Sequence, residues 1–329
     1  LDRKAFNTLL TPFTALYNKY TMRGKVITSE KCYHGNRVLS APAVLGVVLH
    51  WLCSKAEEKY LCMLFGVTES TFNKYKTYGI FLLLEVTRRL RDCAVRWPSK
   101  ETQRRCAQLI NIKEPMLSGV WGFVDGLNLQ IFNPGDVDEQ NAYWNGWLHE
   151  TCCSSLICWR SDGFIAYMAT NYPGSWHDSA IAGRGFYQKL DYGCEGQSSV
   201  ACDSAFPKPA TCPHLVRVDK SDERLPDGTP EDELKIHQAH QNALIAVRQA
   251  AEWGMGLFQA TFKRLQWKLT SNPKRRSEIL ELCMRLSNYR CIHVGLNQIK
   301  TVFGSVVRLE KASLDNIYGA DPAPPFSQP

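Results

Sequence analysis

Val120-Trp-Gly-Phe-Val-Asp-Gly-Leu-Asn-Leu-Gln-Ile-Phe132 is the stretch on which the fold class turns. Before it, apolar residues repeat at helical spacing: Leu45, Val48, Leu49 and Leu52 make one face, and Phe81, Leu82, Leu84, Val86 and Leu90 another. From Gly119 the period changes. Val120 to Asp125 and Leu127 to Phe132 are strand-like, and Asn133-Pro134-Gly135 is a turn. Thr151 to Trp159 and Phe164 to Thr170 are two more β-rich runs, and the Asp162-Gly163 pair between them predicts a hairpin. Ser198 to Asp203 adds one short strand. Helical periodicity returns over about 235–269, with Leu244, Val247, Ala251, Phe258, Phe262 and Leu265 on a common side, until Asn272-Pro273 breaks it. A last helix is expected over about 277–286, followed by an unstructured tail from Asp321. The pattern predicts an α/β protein in three segments. These are a helical domain over 1–115, a sheet-bearing domain over 116–270 with an acidic insertion near 215–235, and a C-terminal helical extension and tail over 271–329.

A chain of 329 residues, 44% hydrophobic and 22% charged, can bury a sizeable core and is neither disordered nor collagen-like in composition. The longest apolar run, Ala41 to Cys53, falls short of the ~20 residues a bilayer span needs and reads as a buried helix, so no membrane partner is expected. Asp2, Arg3 and Lys4 are not followed by an apolar stretch, so no signal peptide is expected. The 13 cysteines are odd in number, scattered and without a C-x-x-C pair, which favours reduced thiols in a nuclear or cytosolic setting. Cys202, Cys212 and His214 come closest to a zinc pattern, whereas Cys152, Cys153 and Cys158 read as buried strand residues.

The net charge of +7 is unevenly spread. Residues 88–105 hold seven bases against two acids, residues 254–329 hold eleven against five, and residues 219–233 reverse the balance with seven acids against two bases. Two basic zones around an acidic loop suit a polyanion, although solvated helix faces give the same pattern. Between the first two apolar helices, Gly66 offers a turn and Thr68 an N-cap, which predicts a helix-turn-helix presenting Ser70, Thr71, Asn73 and Lys74. With Arg88, Arg89, Lys263, Arg264 and Lys268, these are the candidate DNA contacts.

Two carboxylates sit where strands carry few charges: Asp125 after Val120-Trp-Gly-Phe-Val, and Asp203 after Ser198-Ser-Val-Ala-Cys. An anion at the end of a buried strand is costly unless paired or bound to metal, so two such positions point to a shared cation site. Glu252 lies on the long helix one turn after Arg248, with Gly254 and Gly256 just beyond, where small residues let a helix approach a sheet. Three carboxylates from two strands and a helix are what two-metal phosphoryl transfer requires. A turn or cap reading of Asp125-Gly126 competes with this.

The words around these carboxylates resemble one family. Val124-Asp-Gly-Leu-Asn-Leu-Gln-Ile131 resembles the first-aspartate motif of PIF/Harbinger transposases, and Tyr172-Pro-Gly-Ser-Trp-His-Asp-Ser-Ala-Ile181 their Gly-Ser-x-His-Asp-Ser block. Cys202-Asp-Ser-Ala-Phe-Pro207 is similar to their second-aspartate motif, and Arg248-Gln-Ala-Ala-Glu252 to their Arg-x-x-x-Glu helix, continued by Phe258-Gln-Ala-Thr-Phe-Lys-Arg264. The resemblance implies an RNase H-like mixed β-sheet flanked by helices. It implies Asp125, Asp203 and Glu252 as catalytic residues and ligands of Mg2+, with Mn2+ able to substitute, and cleavage and joining of double-stranded DNA at transposon ends and target. It also implies a nuclear setting and a Myb-like accessory protein. A homodimer or higher assembly is a separate expectation. The family usually has Phe-Gly after the glutamate, whereas this chain has Trp253-Gly-Met-Gly256.

His177 and Asp178 admit two readings: Asp178 favours a helix N-terminus through the macrodipole, or the pair stands beside the metals as support or proton carrier. Arg248 either pairs with Glu252 or contacts a phosphate. Trp144, Trp147 and Trp176 are core or rim aromatics, or one of them stacks on a base. Two other function classes remain. A domesticated, catalytically silent DNA-binding or scaffold protein would keep the fold without cleavage. A metal-independent hydrolase is disfavoured because no G-x-S-x-G elbow is present.

Overall fold

The computed structural model describes residues 1–27, 37–207, 212–220, 223, 225–295 and 297–304. The tail from Asp321 and Cys32 lie outside the described residues. Helices α1 (Arg3–Lys19), α2 (Ala41–Cys53), α3 (Glu58–Phe65), α4 (Glu69–Arg89) and α5 (Lys100–Lys113) precede the sheet. Then follow β1 (Val120–Gln130), α6 (Val137–Tyr143), β2 (Trp144–Asn145), β3 (Glu150–Arg160), β4 (Ile165–Pro173), α7 (Asp178–Ala182) and α8 (Phe186–Gly193). The chain continues through β5 (Ser199–Cys202), β6 (Leu215–Arg217), α9 (Glu231–Thr261) and α10 (Pro273–His293).

Capping explains several helix starts. Asp2 accepts from the Ala5 amide, Thr68 from Thr71, Ser99 from Thr102 and Asn272 from Arg275, each satisfying an amide that the first turn leaves free. Gly66 ends α3 in the left-handed region (φ 62°), so the helix, glycine turn and capped second helix follow the predicted layout. α4 is, however, a central packing helix: Phe72, Tyr75, Tyr78, Leu82, Leu83 and Val86 are buried, and its exposed residues are Glu69, Ser70, Asn73, Lys74 and Thr77 early on and Phe81, Arg88 and Arg89 later.

The sheet is mixed. β3 lies antiparallel between β1 and β4, β5 runs parallel to β1, and β6 runs parallel to β5, giving the order β4-β3-β1-β5-β6 with β2 at the start of β3. Every residue of β3 from Thr151 to Trp159 is buried, because both faces of the sheet are covered. Cys153, Ile157 and Trp159 face one core, shared with α1, α2, α4, α9 and α10, while Leu156 and Cys158 face a second core under α5, α7 and α8. The first of these cores runs from Ala5 to Phe303 and so crosses the segment boundaries expected near 115 and 270.

Three expectations change. Asp125-Gly126 does not end a strand: β1 runs through it, paired with β3 from Gly122 to Gln130. The acidic insertion near 215–235 begins with strand β6 and ends in the first turn of α9, whose Glu231, Asp232 and Glu233 suit the positive end of the helix dipole. α10 is longer than expected at both ends. The Ser161-Asp162-Gly163 link does close a hairpin, with Gly163 at φ 88°. Among the described residues no helix is long and apolar enough to cross a membrane.

Candidate active site

β1 and β5 pair in parallel with Phe123 beside Ala201. Two residues further along each chain stand Asp125 and Asp203, so the register carries both carboxylates to the same edge and the same face, the one that α9 covers. β5 ends at Cys202, and the notch beyond it is where the carboxylates collect. Asp125 Oδ1 accepts from the Gly126 amide at 2.9 Å, and Asp203 Oδ1 accepts from the Ala205 amide at 3.0 Å.

A third aspartate reaches the notch from the other side of the sheet. Asp178 opens the five-residue α7, and its carboxylate oxygens press on Gly126, where a Cβ would collide with both of them. Glycine at 126 is therefore what makes room for Asp178. Burial pushes the Asp178 carboxyl up to about 6, helped by the charge of Asp203 and opposed by His177. Burial also pushes Asp125 up to about 6; the Gly126 amide opposes the rise, Asp203 adds to it, Arg248 opposes it and Asp178 adds. Three carboxylates from β1, α7 and the end of β5 therefore feel one another's charge.

Glu252 stands apart from this trio. It lies on an outward face of α9, with its side chain 52% exposed and paired at 3.1 Å with Arg248. Arg248, one turn earlier, is close enough to Asp125 to lower its pKa, so this guanidinium links glutamate and cluster. Gly254 brings α9 down onto the sheet: a Cβ there would lie 2.9 Å from Ile299 and 3.0 Å from Trp159. Gly256 has open space around it. His177 is exposed as the N-cap of α7 and makes no side-chain capping bond.

The donor set suits a hard divalent cation, since it is all carboxylate oxygen and two of its members are held near neutrality by burial and mutual repulsion. Among the described residues no group of three or more His, Cys, Asp or Glu side chains is placed so as to hold a metal ion. The described cysteines are free thiols, and His214 Nδ1 is engaged with the Ser198 carbonyl at 2.8 Å.

The candidate DNA contacts divide. Ser70, Asn73, Lys74 and Lys268 line one cleft of about 1320 Å3, between α4 and the segment entering α10. Arg264 lines it too, but its guanidinium is buried, 4.9 Å from the Trp51 ring and bonded to the Trp51 and Ala56 carbonyls. Thr71 bonds the cap residue Thr68, and Lys263 is exposed outside the cleft. Arg88 is clamped by Glu281 at 2.6 and 3.0 Å and so ties α4 to α10, whereas Arg89 pairs with Glu85 at 3.0 Å within α4 itself. Arg276, in the C-terminal basic zone, is fully buried. Of the tryptophans, Trp147 is 90% exposed, Trp144 is half exposed and Trp176 lies under Arg184 at 4.8 Å.

Sequence reasoning left the role of Asp178 open between helix terminus and site; only the placement of α7 against Gly126 puts its carboxylate in the notch. No curated protein and no solved structure matches the chain. Residues 124–288, just over half of the chain, match the family model described as DDE superfamily endonuclease, a span that holds all four carboxylates, β5 and β1 from Val124 onward, and the chain belongs to that family.

Proposed function

We propose that this protein cleaves and joins DNA strands at transposon ends, with Asp125, Asp203 and Glu252 as the carboxylates that hold Mg2+ or Mn2+ and Asp178 beside them. Endonucleases of this superfamily generally use divalent metals, and the family implies a DNA substrate. The observation that carries the reading is the meeting of Asp125, Asp178 and Asp203 in one notch, where burial and repulsion hold two of the three near pKa 6. Such a cluster costs free energy in a low-dielectric site unless a cation compensates it. Divalent ions held there supply activation of the attacking water or hydroxyl and stabilisation of the leaving oxygen.

The protein's own groups do the rest. Asp125 and Asp203 are fixed by strand register, and their backbone hydrogen bonds orient one oxygen each while leaving the other to face a ligand. Arg248 holds Glu252 at the rim and places a fixed positive charge beside Asp125, where a scissile phosphate would lie. Asp178, pushed up to about 6, can hold or release a proton close to neutral pH. The strand order, with three antiparallel strands followed by two parallel ones, supports an RNase H-like reading of the sheet. The α3–α4 hairpin as a DNA-contacting helix-turn-helix, a Myb-like accessory protein, a dimer or larger assembly and a nuclear setting belong to the same proposal.

Metal binding tests it without any DNA. A ligand that binds only the folded state raises its stability, so Mn2+ should raise the melting temperature of the wild type and should have little effect on Asp125→Asn or Asp203→Asn. An equal rise in both variants would place the ion elsewhere.

A further inference from the structure

The cleft between α4 and α10 is not part of the carboxylate notch. Phe132 on its wall lies seven residues beyond Asp125 (132 − 125), which at ~3.3 Å per residue is roughly 23 Å along the strand direction. Its lining has two features that together define a ligand class. The first is charge. Arg23, Lys74, Lys268 and Arg275 are exposed cations on its wall, and none of them has an acidic partner among the described residues. The acids alongside are mostly committed: Glu58 holds Lys76 at 2.5 Å and Glu57 holds Lys59 at 2.9 Å, which leaves Glu278 as the cleft's uncommitted acid. The second is aromatic surface. Phe132 is 59% exposed and Trp267 39% exposed, and the Arg264 guanidinium, buried between Trp51 at 4.9 Å and Trp267 at 5.5 Å, stiffens the floor beneath them.

Four unpaired cations beside two open rings, in a concave cleft of about 1320 Å3, match what a flexible single strand offers: phosphates along its backbone and bases that can turn out and stack. A duplex keeps its bases stacked inside and presents phosphates on a convex surface, so it would leave Phe132 and Trp267 unused. We infer that this cleft is a binding site for single-stranded DNA, with the backbone on Lys74, Lys268, Arg275 and Arg23 and bases on Trp267 and Phe132. The assignment rests on the DNA-handling reading above for its biological setting, but not on the carboxylates for its chemistry. It would place a strand freed by cleavage at a second grip well away from the notch.

The test is fluorescence anisotropy with a labelled oligothymidine and a labelled blunt duplex, titrated with the full chain in EDTA so that cleavage plays no part. Trp267→Ala should weaken binding of the single strand by about fivefold or more and leave the duplex within twofold. The triple variant Lys74→Ala, Lys268→Ala, Arg275→Ala should weaken the single strand more than tenfold and lower the slope of log affinity against log salt by about two, at ~0.7 per lost phosphate contact. Lys74, Lys268 and Arg275 are exposed, so an unchanged melting temperature is expected of the triple variant, and Lys268→Glu with Arg275→Glu provides a second variant set. Single-strand binding within twofold of wild type in Trp267→Ala and in both charge variants would overturn the site. So would loss confined to the duplex. Asp203→Asn, assayed for oligothymidine binding in EDTA and for DNA cleavage in Mg2+, separates the two claims: cleavage at the wild-type rate would sink the carboxylate reading alone, whereas weakened oligothymidine binding would tie the cleft to the notch and overturn the second grip.

Discussion

The carboxyls of Asp125 and Asp178 are both raised from an ordinary value of 3.8 to about 6, chiefly by burial. A raised carboxyl favours the folded state only while it is protonated. The stability it brings is therefore present below about pH 4 and is lost as pH climbs from about 4 to about 6. Over a shift of ~2 pKa units the loss is on the order of 3 kcal/mol per group at most, less where water reaches the site. Without divalent ions, Asp125→Asn and Asp178→Asn should accordingly melt above the wild type at pH 7–8 and close to it near pH 4, as thermal melts in EDTA would show; variants that melt lower at pH 8 would deny the buried repulsion. Gly126 gives a complementary prediction. Gly126→Ala drives a methyl into the Asp178 carboxylate and should cost about 1–3 kcal/mol, with reduced cleavage because Asp178 must leave the notch. A melting temperature and cleavage rate equal to wild type would mean that Asp178 is free to stand elsewhere.

At the scale of elements, α9 is held to the sheet at Gly254, where the helix backbone lies over Trp159 and Ile299. Gly254→Val should lift the helix, lower stability by about 1–3 kcal/mol and move Glu252 away from the notch, read as a weaker Mn2+ response in the melt; an unchanged response would leave Glu252 without a metal role. The same elements show what could be read beforehand. α2, β3, β4 and β5 were legible because each is bounded by turn or cap residues and carries one unbroken period. Asp125-Gly126 misled because a strong local turn signal was overruled by pairing with β3 along nearly all of β1, which no short window contains. β6 is three residues long, too short for any period to register. α10 was underestimated because its buried side includes Arg276 and Asn288. Asn288 is there to bond the amide and carbonyl of Ile165 at 2.8 and 3.0 Å, which ties α10 to the edge of the sheet. Asp125 could be picked as a charge inside an apolar run and Asp203 as one just past a short strand, whereas counting charges could not reveal that Arg88, Arg264 and Arg276 are consumed by packing.

For the whole molecule, the shared core sets the behaviour. Tyr289 of α10 donates to the Ala5 carbonyl of α1 at 2.7 Å, Arg88 of α4 clamps Glu281 of α10, and α10 also packs on β4. Removing the helical segment before residue 116 would expose the inner face of α10 and one face of the sheet to water, a large loss of apolar burial. We predict a single cooperative thermal transition for the full chain, and no cooperative transition for a fragment beginning at residue 116. A sharp melt of that fragment would show that the sheet-bearing segment folds alone. The central claim, that the carboxylate notch carries metal-dependent DNA cleavage, is tested most directly by incubating supercoiled DNA and terminal-repeat duplex with wild type and Asp203→Asn in Mg2+, alongside a binding titration of the same samples. The amide nearly preserves shape but replaces an anionic oxygen with a neutral group. The prediction is that wild type nicks or cuts the DNA only with the divalent ion present, while Asp203→Asn binds DNA as well or better and leaves it intact. Cleavage by Asp203→Asn at the wild-type rate, or equal cleavage by wild type in EDTA, would contradict it.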